Sequence, residues 1–304
     1  MKKALALILT ASLLTGVLTA CGSSKAQTDA AETTTEEAAA EETAAAEETA
    51  DTDAQAETGD LQVITVAATA VPHAEILEAA KPILAEQGYD LQVTVFDDYV
   101  QPNEVVEAGD IDCNYFQHIP YLNSYNEERG THLVSVGEIH YEPIGIYAGT
   151  ESDLSNIPDG ADIAIPNDTT NEARALLILQ DNGIITLKEG AGIDATINDI
   201  AENPHNINFV EMEAAQVSKV LSEVAFAVIN GNYALDAGLN AQTDALASET
   251  SDSLAAQTYV NIVAVKEGNE DNEGVKALVN VLKSDDIKKF IEETYEGAVV
   301  PFEG

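Results

Sequence analysis

The run Leu61-Gln-Val-Ile-Thr-Val-Ala-Ala68 constrains this chain more than any other stretch. It is short, apolar and β-branched, the composition of a strand buried on both faces. A turn through Pro72 follows. Ile76, Leu77, Ala80, Ile83 and Leu84 then recur at helical spacing until Gly88. Leu91, Val93 and Val95 alternate as a second strand. A strand-helix-strand opening predicts a parallel sheet with helices on both sides, because parallel strands need a long crossover to return the chain. Ligands in such sheets bind outside the carboxyl ends of the strands. That rule puts residues 67–73 and 96–102 beside a candidate site.

Farther along, residues 132–136 and 143–148 read as short strands. After Gly149 the α/β pattern restarts, with a strand at 161–165 and a turn at 166–170 rich in N-cap residues. A helix runs from about Asn171 to Gly183. Strands follow at 207–210 and 225–229, with a helix at 214–221 between them. Residues 259–265 return as a strand, and helices near 273–282 and 284–293 close the chain. A restarted α/β pattern with two extended crossings predicts two lobes joined by two strands, with a cleft between them. Lobe 1 is expected from 61–148 plus 259–304, and lobe 2 from 149–258.

The front of the chain follows different rules. Lys2 and Lys3 precede an apolar run from Ala4 to Leu18, the layout of a secretory signal peptide over residues 1–20. That run is too short for a confident membrane span. Leu18-Thr-Ala-Cys21 resembles a bacterial lipobox, in which Cys21 is lipidated and acyl chains hold the mature protein on a membrane. Between Gly22 and Asp60, twelve acidic residues face Lys25 alone, with almost nothing branched and apolar. Such a segment cannot bury enough surface to offset its ordering entropy. We read residues 21–60 as a disordered acidic tether, able to reach on the order of 100 Å.

The tether explains only part of the formal net charge of −41, so the folded part is itself strongly acidic. Phosphate backbones are repelled by such a surface, which argues against nucleic-acid binding and against docking on anionic lipid. With Cys21 lipidated, Cys113 has no internal disulfide partner and reads as a small buried hydrophobe. His73, His118, His132, His140 and His205 match no metal-ligand spacing, so no metal and no cofactor is expected.

Candidate binding chemistry concentrates at 96–123, FDDYVQPNEVVEAGDIDCNYFQHIPYLN. Tyr99, Tyr115, Phe116, His118 and Tyr121 cluster there among turn formers, in a chain with no Trp. Rings on loops beside polar groups suit the wall of a small-molecule pocket, although ordinary core packing also gathers aromatics. Arg174 falls in the first turns of the helix begun at Asn171, where free N–H groups and a planar fork together suit a carboxylate. The alternative is a surface arginine paired with one of many acids. Asn230 ends a strand and Asn261 lies inside one; their carbonyls could accept from an ammonium, or Asn230 could simply serve the turn. No G-x-S-x-G elbow, Walker loop, G-x-G-x-x-G or H-E-x-x-H is present, so an enzyme is not expected.

These motifs together resemble one family. FDDYVQPN (96–103), GDIDxNxFQHxPYL (109–122), EPIGIY (142–147), IPNDTTNEARALLILQ (165–180), AVINGNYA (227–234) and YVNIV (259–263) are similar to the methionine-binding lipoproteins of the MetQ/NlpA family. The resemblance spans nearly all of the folded region. It implies a two-lobed, type II solute-binding fold with two hinge strands and an interlobe cleft. It implies that Tyr99, Phe116, His118 and Tyr121 wall the methionine side chain and that Arg174 takes the α-carboxylate, supported by Asn171. Asn230 and Asn261 would contact the amino-acid head. The implied protein is a palmitoylated, outward-facing lipoprotein that hands L-methionine to the permease and ATPase of an ABC importer. D-methionine, methionine peptides or another apolar amino acid are the alternatives within that architecture, and a secreted lipoprotein hydrolase is the alternative outside it.

Overall fold

Two twisted sheets organise the chain, and each grows from the strand-helix alternation of its own stretch of sequence. The computed structural model describes residues 61–250 and 254–303. The signal peptide, Cys21 and the acidic tether expected from the sequence lie outside the described residues.

The first sheet opens with β1 (Gln62–Ala68), α1 (Glu75–Glu86) and β2 (Tyr89–Val95). β1 pairs parallel with β2 in unbroken register from Gln62↔Tyr89 to Ala68↔Val95. The chain continues through α2 (Gln101–Ala108), β3 (Cys113–His118), α3 (Ile119–Arg129) and β4 (Leu133–Tyr141). Here the structure corrects one expectation: the aromatic stretch does not place its rings mainly on loops. Pro102 stands at the start of α2, where its missing N–H costs nothing. Gly109 ends that helix in the left-handed region at φ 81°. Residues 113–118 then form a strand buried at every position.

The second sheet begins at β5 (Gly145–Ala148) and continues with β6 (Asp162–Pro166) and α4 (Thr169–Asp181). Asp168 caps α4 by accepting from the Asn171 N–H. A small hairpin of β7 (Thr186–Leu187) and β8 (Ile200–Glu202) leads to β9 (Asn208–Met212), α5 (Ala214–Val217), β10 (Phe226–Ile229), α6 (Gly231–Asp236) and β11 (Ala245–Ser248). The helix expected over 214–221 is therefore one α-turn followed by a 3-10 turn at Ser218–Val220.

The chain then returns through α7 (Leu254–Thr258) and β12 (Val260–Lys266), and ends with α8 (Glu273–Leu282), α9 (Asp285–Tyr295) and β13 (Val300–Pro301). The strand orders are β13-β4-β12-β3-β1-β2 and β11-β5-β10-β6-β9. β12 runs antiparallel to both of its neighbours, so the first sheet is mixed and not purely parallel.

Each sheet is covered on both faces. On the first, Leu77 and Leu84 of α1, Leu278 of α8 and Ile291 of α9 pack with Ile64 and Val66. Val106 of α2 and Tyr125 of α3 pack with Ile262 and Ala264 on the opposite face. On the second, Leu176 and Leu179 of α4 meet Ile163, Ile165 and Phe226, while Val217 and Tyr233 cover Ala227 and Ile229. Each fully buried Leu or Ile contributes about 1.5–3 kcal/mol, so both sheets have cores of their own. The chain passes between them at residues 142–144 and again beyond Ser248.

Candidate ligand-binding site

The carboxyl end of β3 delivers Phe116, Gln117 and His118 into the cleft, and the turn into α3 adds Tyr121. His118 caps α3: its Nδ1 accepts the Tyr121 N–H at 3.1 Å. That bond assigns the remaining ring hydrogen to Nε2, which donates to Asn171 Oδ1 at 3.0 Å across the cleft. Burial, and then the charge of Arg174, lower the His118 pKa to about 3. The imidazole is therefore neutral at pH 7.

A cleft with about 320 Å³ of atom-free space, counted out to its open side, lies between the sheets. Its lining contains Tyr99, Phe116, His118, Tyr121, Asn171, Arg174, Asn230 and Asn261, the eight residues singled out in the sequence. Gln117, Glu142, Gly231 and Asn232 complete it. One end is aromatic. The rings of Tyr99 and Phe116 lie 5.8 Å apart, those of Tyr99 and Tyr121 5.6 Å, and those of Phe116 and Tyr121 6.1 Å. Tyr115 belongs to the same sequence cluster but not to this box; it points into the core and bonds His140.

The other end is polar. Arg174 is 3% exposed and sits 4.4 Å from the Tyr259 ring centre. Its Nη2 donates to Glu249 Oε2 at 2.5 Å and to the Glu142 carbonyl at 2.7 Å, and its Nε donates to Glu249 Oε1 at 3.0 Å. None of these bonds uses Nη1. Tyr141 also donates to Glu249, at 2.5 Å. Arg174 thus lines the cleft and is paired with an acid, but it is buried and not the surface arginine of the alternative reading.

Asn171 is a junction. Its Oδ1 accepts from His118 and from Asn230 Nδ2 at 2.8 Å, and its own Nδ2 donates to Asp168 at 2.8 Å. Asn230 thus donates one amide hydrogen to Asn171, while its Oδ1 is buried with no partner among the described residues. An unpaired buried carbonyl costs about 1–3 kcal/mol. Asn261 Oδ1 accepts from His73 Nε2 at 3.1 Å.

Sequence reasoning missed Glu142 and Glu249. Glu142 carried a signal, since a charged residue before Pro143 interrupts an otherwise apolar run. Glu249 carried none, being 75 residues from Arg174. The fold also gathers His73, His140 and Glu142, with donor atoms within 4.8 Å of one another. Sequence spacing could not reveal that cluster. Two of those donor atoms already bond each other, His140 Nε2 lying 2.7 Å from Glu142 Oε1, while His73 Nε2 lies 3.3 Å from it and bonds Asn261.

Contacts across the cleft mouth hold the lobes together. Tyr99 donates to Asn232 Oδ1 at 2.6 Å, Tyr233 to the Asp97 carbonyl at 3.1 Å and Thr169 to Glu128 Oε1 at 2.8 Å.

Two α/β lobes meeting over a buried cavity, aromatic at one end and ionic at the other, define the class of two-lobed solute-binding proteins. The chain belongs to the NlpA lipoprotein family, whose profile matches residues 64–303. It is 42% identical over 250 residues to the methionine-binding lipoprotein MetQ of Bacillus subtilis, covering 81% of this chain and 90% of that one. Its fold matches the crystal structure of a lipoprotein from Ruminococcus gnavus with a TM-score of 0.79 and 68% identity, over 80% of this chain and all of that one. It also matches a nutrient binding protein from Burkholderia cenocepacia bound to methionine, with a TM-score of 0.74 and 42% identity, over 78% of this chain and 99% of that one. This is a family of binding lipoproteins, not of enzymes, and the hydrolase alternative has no support. Among the described residues no helix is long and apolar enough to cross a membrane.

Proposed function

We propose that this lipoprotein captures L-methionine in the cleft and delivers it to the permease and ATPase of an ABC importer. The observation that carries the reading is Asn230 Oδ1, which among the described residues is the one fully buried side-chain polar atom lining the cavity without a hydrogen-bond partner. An α-ammonium supplies the missing donor. Arg174 takes the α-carboxylate through the part of its fork that Glu249 leaves unused. Asn261 contacts the head beside it, and Asn171 and His118 hold Asn230 in place.

The ring box of Tyr99, Phe116 and Tyr121 suits a thioether, whose sulfur gains about 0.3–1.5 kcal/mol from each ring edge. A site that pairs both charges rejects ligands lacking either, because its own groups are then left without partners. Closing the lobes on the ligand also forms a surface shared by both, which a permease can distinguish from the open form. Lipidation at Cys21 would hold the protein outside the cytoplasm, with the acidic segment as its tether.

The test is calorimetric titration with L-methionine, after unfolding and refolding the protein to strip any copurified ligand. One-to-one binding that is lost in Arg174→Ala and weakened in Phe116→Ala is expected. A folded protein that takes up no methionine refutes the proposal.

A further inference from the structure

Glu142 lies in the passage between the sheets, is 5% exposed and lines the cavity. Behind it stand two imidazoles, His140 with Nε2 at 2.7 Å from Oε1 and His73 with Nε2 at 3.3 Å. Each ring is held from its far side: Tyr115 Oη lies 2.5 Å from His140 Nδ1, and Thr69 Oγ1 lies 2.8 Å from His73 Nδ1. Burial lowers the pKa of His73 to about 4 and that of His140 to about 3. Both rings are neutral at pH 7, with one N–H apiece. Hydroxyl hydrogens given to the two Nδ1 atoms leave those N–H groups on Nε2: that of His140 faces Glu142, while that of His73 goes to Asn261 Oδ1 at 3.1 Å with Glu142 Oε1 beside it. The Asn232 backbone N–H is a further donor to the same carboxylate.

Neutral donors stabilise a carboxylate without cancelling its charge. Glu142 has no Lys or Arg among its ion pairs in the described residues. Arg174, the other charge lining the cavity, is already matched by Glu249 at 2.5 Å. Burial raises the Glu142 pKa, with the charge of Arg174 and the Asn232 N–H acting against it, so the carboxyl ionises most readily when a cation arrives. The polar end of the cavity therefore presents one neutralised cation and one carboxyl without a cation partner.

We propose that Glu142 is the counter-charge for the ligand's α-ammonium, and that His140 is a positioning residue that aims the carboxylate at the cavity. The inference rests on the reading of the cleft as an amino-acid site. Its consequence is an asymmetry: the cleft demands the ammonium more strictly than the carboxylate. The ammonium meets a buried carboxyl with no other cation partner, whereas the carboxylate meets a guanidinium that has a partner without it.

The test titrates the wild-type protein with L-methionine, with 4-(methylthio)butanoate, which lacks the ammonium, and with L-methioninamide, which lacks the carboxylate charge. At about pH 6 the amine of the amide is largely protonated. Loss of the ammonium is expected to weaken binding about 100-fold or more, and loss of the carboxylate charge by less. Glu142→Gln is expected to weaken methionine to a similar degree and to remove most of the preference over 4-(methylthio)butanoate. His140→Leu should shrink the same preference, while His140→Gln, which restores an N–H donor, should return part of it.

Wild-type protein that binds the desamino compound as tightly as methionine overturns the proposal without any variant. So does folded Glu142→Gln with wild-type discrimination, and that result leaves the methionine site itself standing. Wild-type protein that binds no methionine refutes the site and this inference together.

Discussion

Asn230→Ala is expected to cost the protein its ligand while leaving the empty protein about as stable as before. The substitution removes one buried hydrogen bond, from Asn230 Nδ2 to Asn171 Oδ1 at 2.8 Å, worth about 1 kcal/mol. It also removes a buried carbonyl that has no partner, which relieves about 1–3 kcal/mol. Asn171 Oδ1 keeps its His118 donor at 3.0 Å, so no new orphan is created there. The space vacated opens onto the existing cavity and seals no new void. These terms nearly cancel, and the melting temperature of the ligand-free protein should move by no more than about 4 °C. Binding behaves differently, because a hydrogen bond from an ammonium to that carbonyl is charge-assisted and contributes about 1.5–3 kcal/mol. Kd for methionine should rise about 10- to 150-fold. Titration calorimetry reads the second quantity and a thermal melt without ligand reads the first. An affinity within about three-fold of wild type refutes the reasoning. So does a fall in melting temperature beyond about 8 °C, which would show that the amide is chiefly structural.

Arg174→Ala strips the partner from a nearly buried Glu249 and should cost about 3–5 kcal/mol of stability as well as binding, read by denaturant unfolding. Arg174→Lys should rescue little, because a single ammonium cannot reproduce the Nε and Nη2 pair of bonds. At Gly231 an added Cβ would lie 2.7 Å from Glu142 Cβ and 3.2 Å from the Pro143 carbonyl. Gly231→Ala should therefore push the lobes apart by overpacking worth about 1–3 kcal/mol, seen as weaker methionine binding and a larger radius by small-angle scattering. Acidification tests the neutral histidines. His73, His118 and His140 are held at pKa values of about 4, 3 and 3, below the ordinary value of 6.5. The unfolded chain binds their protons first, so their contribution is fully present above pH 6.5 and is lost as pH falls toward those lowered values. Each contributes a slope of about 1.4 kcal/mol per pH unit in that window, and unfolding curves of His118→Asn should be shallower by that amount.

Much of the fold was legible because periodicity survives in single elements. β1, α1 and β2 showed their runs directly, and α4 announced itself by its cap and its leucines. What stayed hidden was carried by pairs distant in sequence. Residues 113–118 include Asn114 and Gln117, which suggest solvent, yet both are buried in β3. Asn103 makes this possible: Oδ1 accepts from Asn114 at 2.9 Å and from Gln117 at 2.7 Å, and Nδ2 donates to Gln117 at 3.0 Å. No alternation of apolar and polar residues encodes that amide cluster. The antiparallel entry of β12 between β3 and β4 was likewise invisible, since nothing in a strand's own composition states its direction. At the site, the resemblance to a known family supplied the ring box and the arginine. Glu249 and the imidazoles behind Glu142 needed coordinates, because their partners lie in other elements.

The three bonds across the cleft mouth bear on time as well as on affinity. Tyr99 to Asn232, Tyr233 to Asp97 and Thr169 to Glu128 must all break before a captured molecule can leave. Affinity among variants of one binding site varies mostly through the off-rate, so these bonds bear on the dwell time of the cargo, two of them through residues outside the ring box. For the delivery proposed above, that dwell time must outlast the search for a permease, yet be short once docked. Weakening the Tyr99 or Tyr233 hydroxyl would shorten the first interval, and a permease that competes for the same groups would shorten the second.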